Sequence, residues 1–240
     1  MLSYNFNWSV IWTEPYGGWM LQGIWTTISL GFISWCIALT LGIIIGTMRI
    51  TPWKPIRFFA TAYTEFFRDI PLLVQLFFWY FAAPSILPGF IERFLYRELP
   101  NFEFWVVVVG LSLYTSSRVA EQVRAGMQSI PTDQYYAALS TGFTHLQTYR
   151  YIIIPLAVRI MIPPLTTECL TVFKNTSLAM TVGVLETTFM SQQIEAYTFR
   201  GIEATTAASL AYMVITLMVV LIMGLIEKRL AVPGLITRRR

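Results

Sequence analysis

Two long apolar stretches without a charged side chain constrain this sequence more than any other feature. One is Ile28–Ile45, inside a longer apolar segment from Trp19 to Met48, and the other is Thr206–Ile226. A helix that crosses the hydrocarbon core of a bilayer needs about 20 apolar residues. The whole chain is 55% hydrophobic and 12% charged, whereas soluble domains have about 25% charged residues. These observations predict an all-α integral membrane protein.

Three further apolar segments complete the predicted set of membrane spans. They are Phe58–Phe81, Phe104–Arg124 and Tyr151–Phe173. Each contains charged residues or prolines, so the sequence marks its ends less sharply than those of the first and last spans. Five spans and their loops account for most of the 240 residues, and little length remains for a separate soluble domain.

The distribution of lysine and arginine predicts how the spans are oriented, because cytoplasmic loops carry an excess of these residues. With the C-terminus inside, residues 47–57, 124–150 and 227–240 hold ten basic and two acidic residues, against four basic and seven acidic on the other side. We therefore expect five spans, with the N-terminus outside. The predicted parts are a periplasmic segment 1–18, a transmembrane domain 19–228 with a cytoplasmic loop at about 131–151, and a cytoplasmic basic tail 229–240.

Seven charged residues fall within the predicted spans, where an isolated charge costs about 2.5–3.5 kcal/mol. They are Glu65, Arg68, Asp69, Arg118, Glu121, Arg159 and Glu168. Side chains of this kind are expected to face a polar cavity or one another. This much charge inside short spans is typical of a protein that lines a polar path, and a purely structural anchor would not need it.

The loop between the third and fourth spans has a pattern of small and turn-forming residues. It reads Tyr136-Ala137-Ala138-Leu-Ser-Thr-Gly142, then nine residues, then Ile152-Ile153-Ile154-Pro155. A short helix over about 133–141 would present alanines that let a partner surface approach closely. Gly142 suits a turn that residues with side chains resist, and a second short helix over about 144–151 would lead into the fourth span. Such a helix can dock in a groove of a cytoplasmic partner.

This pattern resembles the EAA loop of ABC importer permeases, in which an acidic residue and two alanines precede a glycine and a later hydrophobic-x-hydrophobic-proline sequence. Tyr136 stands where glutamate is usual, whereas the alanine, glycine and proline positions agree. The resemblance implies that the loop couples the membrane subunit to an ATP-binding subunit. The residues assigned to this contact are Tyr136, Ala137, Ala138, Gly142, His145 and Pro155.

Three other stretches are similar to the polar amino acid permease family, in its histidine, glutamine and glutamate branch. They are Glu65–Gln75, Ala120–Pro131 and Lys174–Leu178. Together with the loop, they extend the similarity over about residues 20–228. Arg118–Ala125 and Tyr149–Tyr151 carry a closer resemblance to the members that transport glutamate and aspartate.

The resemblance implies two permease subunits, two ATP-binding subunits and a periplasmic amino-acid-binding protein, assembled at the inner membrane of a bacterium. It favours a second, similar permease as the partner, although the sequence alone also allows a homodimer. ATP-driven closure of the partners would alternate access to a central path for glutamate, aspartate or another polar amino acid. The chain contains no GxxxxGK[ST] phosphate-binding loop. We therefore expect ATP and magnesium in the partner subunits, and no cofactor, metal or catalytic site in this chain.

The third span turns polar after Leu113 and supplies the first candidates for a substrate path. Arg118 and Glu121 lie three residues apart and share a helix face, with Ser117 next in sequence. The broad family has an aromatic residue where this chain has Arg118. We expect the guanidinium to bind a substrate carboxylate with two hydrogen bonds, while Glu121 orients it or binds the substrate ammonium. The alternative is that Arg118 and Glu121 only neutralise each other.

Glu168 and Arg68 complete the candidate path. Glu168 follows two prolines at 163 and 164, which free backbone carbonyls in the fourth span. It is expected either to contact the substrate or to satisfy a polar partner. Arg68 is next to Asp69 and close to a predicted helix break at Pro71, and these two charges either pair or line the path.

Two other classes of protein fit the sequence less well. A secondary transporter or channel would leave the loop pattern without a purpose, and no inverted repeat is visible in the sequence. A membrane enzyme would need a catalytic cluster, but the chain has one histidine, no GxSxG and no His/Asp metal-binding pattern. Association with an ATPase would separate an importer subunit from both.

Overall fold

The computed structural model describes residues 4–230, which form helices joined by short connections, with no β-strand among them. The predicted basic tail therefore lies outside the described residues, apart from its first two positions. The α-helices are α1 (Tyr16–Ile50), α2 (Lys54–Asp69), α3 (Leu72–Phe77), α4 (Gly89–Arg93), α5 (Phe102–Gln128), α6 (Thr132–Ser140), α7 (His145–Thr148), α8 (Ile154–Asn175), α9 (Thr187–Thr198) and α10 (Gly201–Leu230). Short 3-10 helices occur at Trp8–Ile11, Pro84–Ile86 and Thr176–Val182, and π-helical turns at Phe78–Ala82, Phe94–Glu98 and Tyr149–Ile153.

Helices α1, α5, α8 and α10 coincide with the first, third, fourth and fifth predicted spans. Within the described residues, three helical stretches are long and apolar enough to cross a membrane, namely Tyr16–Ile50, His145–Val182 and Gly201–Leu230. Helix α5 has 27 residues, but its second half carries the charged residues that interrupt its apolar length. The all-helical membrane class is confirmed, whereas the number and orientation of the spans stay predictions.

The second predicted span consists of two helices, and the expected break at Pro71 separates them. Helix α2 ends at Asp69, and α3 begins at Leu72 and continues into a π-helical turn. Proline lacks a backbone N–H and disfavours the helical conformation in the residue before it. Pro71 has φ −57° and ψ 136°, so the backbone is extended there, between the end of α2 and the start of α3.

The chain gathers into two compact units, to which α1, α5, α8 and α10 each contribute. Unit 1 comprises the described residues up to Cys36, Ile70–Ser112 and Thr171–Met218. Unit 2 comprises Ile37–Asp69, Leu113–Leu170 and the described residues from Val219 onward. Unit 2 contains every candidate residue that the sequence suggested for the substrate path and the coupling loop.

Close helix packing fixes the directions of three helices in unit 2. Gly42 and Gly46 of α1 lie against Val119 and Val123 of α5, and a Cβ added at Gly46 would be 2.6 Å from Val123 Cβ. The later residue of α1 contacts the later residue of α5, so the two helices run in the same direction. Gly126 of α5 contacts Met161 of α8, while positions nearer the start of α5 contact later positions of α8. Helix α8 is therefore antiparallel to α5, as alternating spans require.

Unit 1 has an apolar core at the start of α1. Met20 packs with Ile11, Ile194 and Ala204, and all four are buried. Gly23 allows α9 to approach, because an added Cβ would be 2.9 Å from Met190 Cγ. This packing joins the beginning of α1 to α9 and to the first turn of α10.

Candidate functional site

Arg118 and Glu168 form a two-point ion pair between α5 and α8. Arg118 Nε lies 2.7 Å from Glu168 Oε2, and Arg118 Nη2 lies 3.2 Å from Glu168 Oε1. The side chain of Glu168 is 5% exposed, whereas that of Arg118 is 39% exposed. The guanidinium also lies over the ring of Tyr114, at 5.9 Å from the ring centroid. The pair therefore has a buried acidic side and an accessible basic side.

The accessible side of Arg118 can bind a second anion. A guanidinium is a planar fork with donors on more than one edge, and the edge formed by Nε and Nη2 is the one directed at Glu168. Nη1 makes no hydrogen bond to Glu168, and the Arg118 side chain remains partly exposed. A carboxylate that reaches this donor would meet a charge-assisted hydrogen bond in a partly water-excluded place, where such bonds are strong.

Glu121 does not pair with Arg118, so the interpretation of these two as a self-neutralising pair is wrong. Glu121 hydrogen-bonds to Arg49 of α1 and to Arg124 of α5, and it lies 3.5 Å from Arg68 of α2. The spacing of three residues allows contact on an isolated helix. Here Arg118 is directed toward α8, and Glu121 is directed toward α1 and α2, because neighbouring helices offer closer partners.

Arg68 contacts Glu121, and within the described chain Asp69 is not an ion-pair partner of Arg68. The suggestion that Arg68 and Asp69 pair is therefore wrong, because their side chains leave successive positions of α2 in different directions. Ser117 is buried, and its hydroxyl donates to the Tyr114 carbonyl at 2.6 Å. Whether these residues line the substrate path stays a prediction.

The coupling loop is a pair of short helices around a left-handed glycine. Helix α6 ends at Ser140, and Gly142 follows with a φ of +91°, a conformation that glycine adopts without a steric penalty. Thr144 then starts α7 through a capping box, in which its hydroxyl accepts from the Gln147 N–H while the Gln147 side chain accepts from the Thr144 N–H. Local chemistry alone is enough to determine this turn.

The loop presents an apolar and aromatic surface. Tyr136 is 63% exposed and Leu146 is 78% exposed, and Ala137 is also exposed. Ala138 is buried, so only one of the two alanines presents itself to a partner, contrary to the expectation for both. His145 is exposed on α7 and contacts the Tyr135 hydroxyl through Nδ1 at 2.7 Å.

Pro155 is the second residue of α8. The π-helical turn Tyr149–Ile153 precedes it and joins α7 to α8 without a loop. A cleft of about 260 Å³ opens beside α6, and Tyr135, Tyr136 and Tyr149 are among its lining residues. The loop is thus continuous with α5 on one side and with α8 on the other.

Sequence reasoning missed a buried polar network around Glu186 in unit 1. Glu186 caps α9 by accepting the N–H groups of Thr188 at 2.8 Å and Phe189 at 2.9 Å. The Tyr212 hydroxyl donates to the same carboxylate at 2.5 Å, and Thr27 lies 3.5 Å away. Burial raises the pKa of Glu186 above its ordinary value. The sequence signal for this cap is an acidic residue directly before the Thr-Thr pair that begins α9.

The arrangement in unit 2 combines an exposed loop with two adjoining helices that share an ion pair. The chain belongs to the family of binding-protein-dependent transport system inner membrane components, whose family model matches residues 38–232. The fold and the family together define a membrane permease of an ABC importer.

Individual relatives narrow the class further. The chain is 36% identical over 241 residues to the glutamate/aspartate import permease protein GltJ of Escherichia coli (strain K12), covering 97% of this chain and 98% of that protein. It is 34% identical to the probable glutamine ABC transporter permease protein GlnM of Bacillus subtilis (strain 168), covering 88% of this chain and 92% of that protein. The crystal structure of an amino acid ABC transporter with histidines superposes with a TM-score of 0.80 at 28% identity, covering 94% of this chain and 100% of that chain.

These comparisons establish the coarse function. The chain is the permease of a polar amino acid ABC importer, a membrane protein with several spanning helices. It is not an enzyme, because the ATPase activity of these importers lies in separate subunits.

Proposed function

We propose that this chain carries glutamate and aspartate across the inner membrane of a bacterium by alternating access. Its partners are a second, similar permease, two ATP-binding subunits that hold ATP and magnesium, and a periplasmic amino-acid-binding protein. The glutamate/aspartate permease GltJ, at 36% identity over nearly the full length, supports the acidic substrate. The likeness to the probable glutamine permease GlnM makes glutamine the second candidate.

The pair formed by Arg118 and Glu168 carries the proposal for substrate binding. A substrate carboxylate binds the accessible edge of Arg118, whose other edge Glu168 fixes through two hydrogen bonds. Glu168 takes the orienting role that the sequence suggested for Glu121, because it is the carboxylate in contact with Arg118. An acidic side chain offers Arg118 a charged acceptor, whereas the glutamine amide offers a neutral one, and hydrogen bonds to ionised groups are the stronger.

The loop formed by α6 and α7 is proposed to dock on an ATP-binding subunit. The exposed Tyr136 and Leu146 supply an apolar contact of the kind that fits a groove. Tyr136 brings an aromatic contact where the family pattern has an acidic one, so this contact is apolar and not ionic. Closure of the ATP-binding subunits then moves the loop, and the loop moves the ends of α5 and α8 that it joins.

The test is ATP hydrolysis in liposomes that contain this chain, its permease partner, the ATP-binding subunits and the binding protein. We expect stimulation by glutamate and aspartate above that by glutamine. Arg118→Lys should raise the substrate concentration for half-maximal stimulation about tenfold, as expected for the loss of one hydrogen bond to a charged group. The lysine still compensates Glu168, so the complex should assemble.

Arg159→Lys is the matched control, since Arg159 lies on α8 and makes no ion pair in the described chain. Equal effects of the two substitutions would refute a substrate-binding role for Arg118. Stronger stimulation of ATP hydrolysis by glutamine than by glutamate would mean that the substrate is glutamine, and the function as an importer subunit would still hold.

A further inference from the structure

Three arginines from three helices surround one carboxylate at the ends of α1 and α5. Glu121 of α5 contacts Arg49 of α1, Arg68 of α2 and Arg124 of α5. Three guanidiniums against one carboxylate leave an excess of two positive charges. Asp69 and Glu65 lie on the same helix as Arg68, but in the described chain neither comes within 4.0 Å of a basic nitrogen. Within the described residues, the cluster therefore has no balancing anion besides Glu121.

Arg49 shows that the cluster is incomplete. Its side chain is only 9% exposed, and its Nε is buried without a hydrogen-bond acceptor in the described residues. A buried donor that lacks an acceptor is costly and rare in native proteins. Arg68 and Arg124 are more open, at 43% and 32% exposed. The positive cluster thus has a buried floor and an accessible side, which an oxyanion could reach.

The position of the cluster indicates the source of the oxyanion. Arg49 lies in the last turn of the long apolar helix α1, and Arg124 lies one turn before the end of α5. Because α1 and α5 are parallel, both ends reach the same membrane surface. Trp53 follows α1 and is 69% exposed, as expected for an aromatic residue at the level of lipid headgroups.

We propose that Arg49, Arg68 and Arg124 bind the phosphate of an anionic lipid. Guanidiniums match phosphate oxygens with paired hydrogen bonds, and basic pockets between membrane helices are known to hold lipid headgroups. Glu121 offsets one of the three positive charges and leaves the two-charge excess that the lipid neutralises. The lipid would tie α1, α2 and α5 together at the membrane surface, separately from the ion pair at Arg118.

Native mass spectrometry of the whole transporter in detergent tests this proposal. The complex is titrated with phosphatidylglycerol, with phosphatidylcholine as the zwitterionic control and with inorganic phosphate as the free anion. We expect retention of phosphatidylglycerol, and Arg68→Gln should weaken it about tenfold. Arg57→Gln is the matched control, because Arg57 is exposed on the same helix and makes no ion pair in the described chain.

Glu121→Gln separates a lipid site from a purely structural cluster. Removing the competing carboxylate raises the positive excess, so lipid retention should strengthen by several-fold even if the complex becomes less stable. A structural role alone predicts no gain in retention, and that result would overturn the proposal. Equal effects of Arg68→Gln and Arg57→Gln, equal retention of phosphatidylcholine, or displacement of the lipid by inorganic phosphate or glutamate would also overturn it.

Discussion

The ion pair between Arg118 and Glu168 leads to an asymmetric prediction for its two single substitutions. Replacing Arg118 with glutamine leaves a carboxylate that is 5% exposed without its cation, and removing one partner of a buried pair costs about 3–5 kcal/mol. Replacing Glu168 with glutamine leaves a guanidinium that is 39% exposed and can turn toward water. After allowance for that exposure, the second substitution should cost only about 1–2 kcal/mol.

A double-mutant cycle isolates the energy of the pair itself. The double variant Arg118→Gln with Glu168→Gln removes both charges, so its cost should fall below the sum of the single costs by about 2 kcal/mol. Thermal unfolding of the purified complex measures this, because about 1 kcal/mol moves the midpoint by about 2–4 °C for a chain of this size. Arg159→Gln serves as the control and should stay within about 0.5 kcal/mol of the wild type.

Two outcomes would refute the reasoning. Additive costs, within about 0.5 kcal/mol, would mean that the pair does not interact despite its geometry. A larger cost for Glu168→Gln than for Arg118→Gln would mean that burial of the acidic side does not control the energetics. The cycle concerns stability alone, so it stands whether or not Arg118 also binds the substrate.

Two glycine substitutions give further predictions, each with a matched control. Gly46→Val should impair assembly of the complex, because the new side chain would meet Val123 where α1 contacts α5. Gly224→Val is the control and should be tolerated, since no atom lies within 4 Å of an added Cβ there. Size-exclusion chromatography measures the recovery of intact complex, and equal recovery of both variants would contradict this prediction. Gly142→Ala should lower the free energy of unfolding by about 1–2 kcal/mol, because Gly142 has a φ of +91°, and it should also lower substrate-stimulated ATP hydrolysis. Gly89 lies in equally open space and has an ordinary φ, so Gly89→Ala should change neither the free energy of unfolding nor ATP hydrolysis.

The parts of this protein that the sequence predicts well are those that local chemistry determines. The apolar run in α1 and the turn at Gly142 depend on residues that are neighbours in the chain. The break at Pro71 likewise follows from one residue type and its missing N–H. In each case the physical cause and the structural result lie within a few residues, so no knowledge of the packing is needed.

The parts that sequence reasoning missed depend on which helices are neighbours. Arg118 and Glu121 share a helix face, and spacing alone suggests that they pair. In the structure Arg118 pairs with Glu168, fifty positions away, and Glu121 pairs with Arg49, seventy-two positions away. The sequence around Glu186 does not show that this residue is buried, because its partner Tyr212 lies in another helix. When a charged side chain has several possible partners, the packing of the helices decides which partner it contacts. The spacing of residues along the sequence does not contain that information.

The connection between the coupling loop and the ion pair follows from chain geometry. Arg118 lies ten residues before the end of α5, about 15 Å along the helix at 1.5 Å per residue, and Glu168 lies fourteen residues after the start of α8, about 21 Å. The loop joins those same two helix ends. A displacement of the loop by an ATP-binding subunit would therefore reach Arg118 through α5 and Glu168 through α8. Any difference between the two movements must change the separation of Arg118 from Glu168. The orientation of Arg118 depends on Glu168. We therefore infer that movement of the loop would change how Arg118 binds a substrate carboxylate.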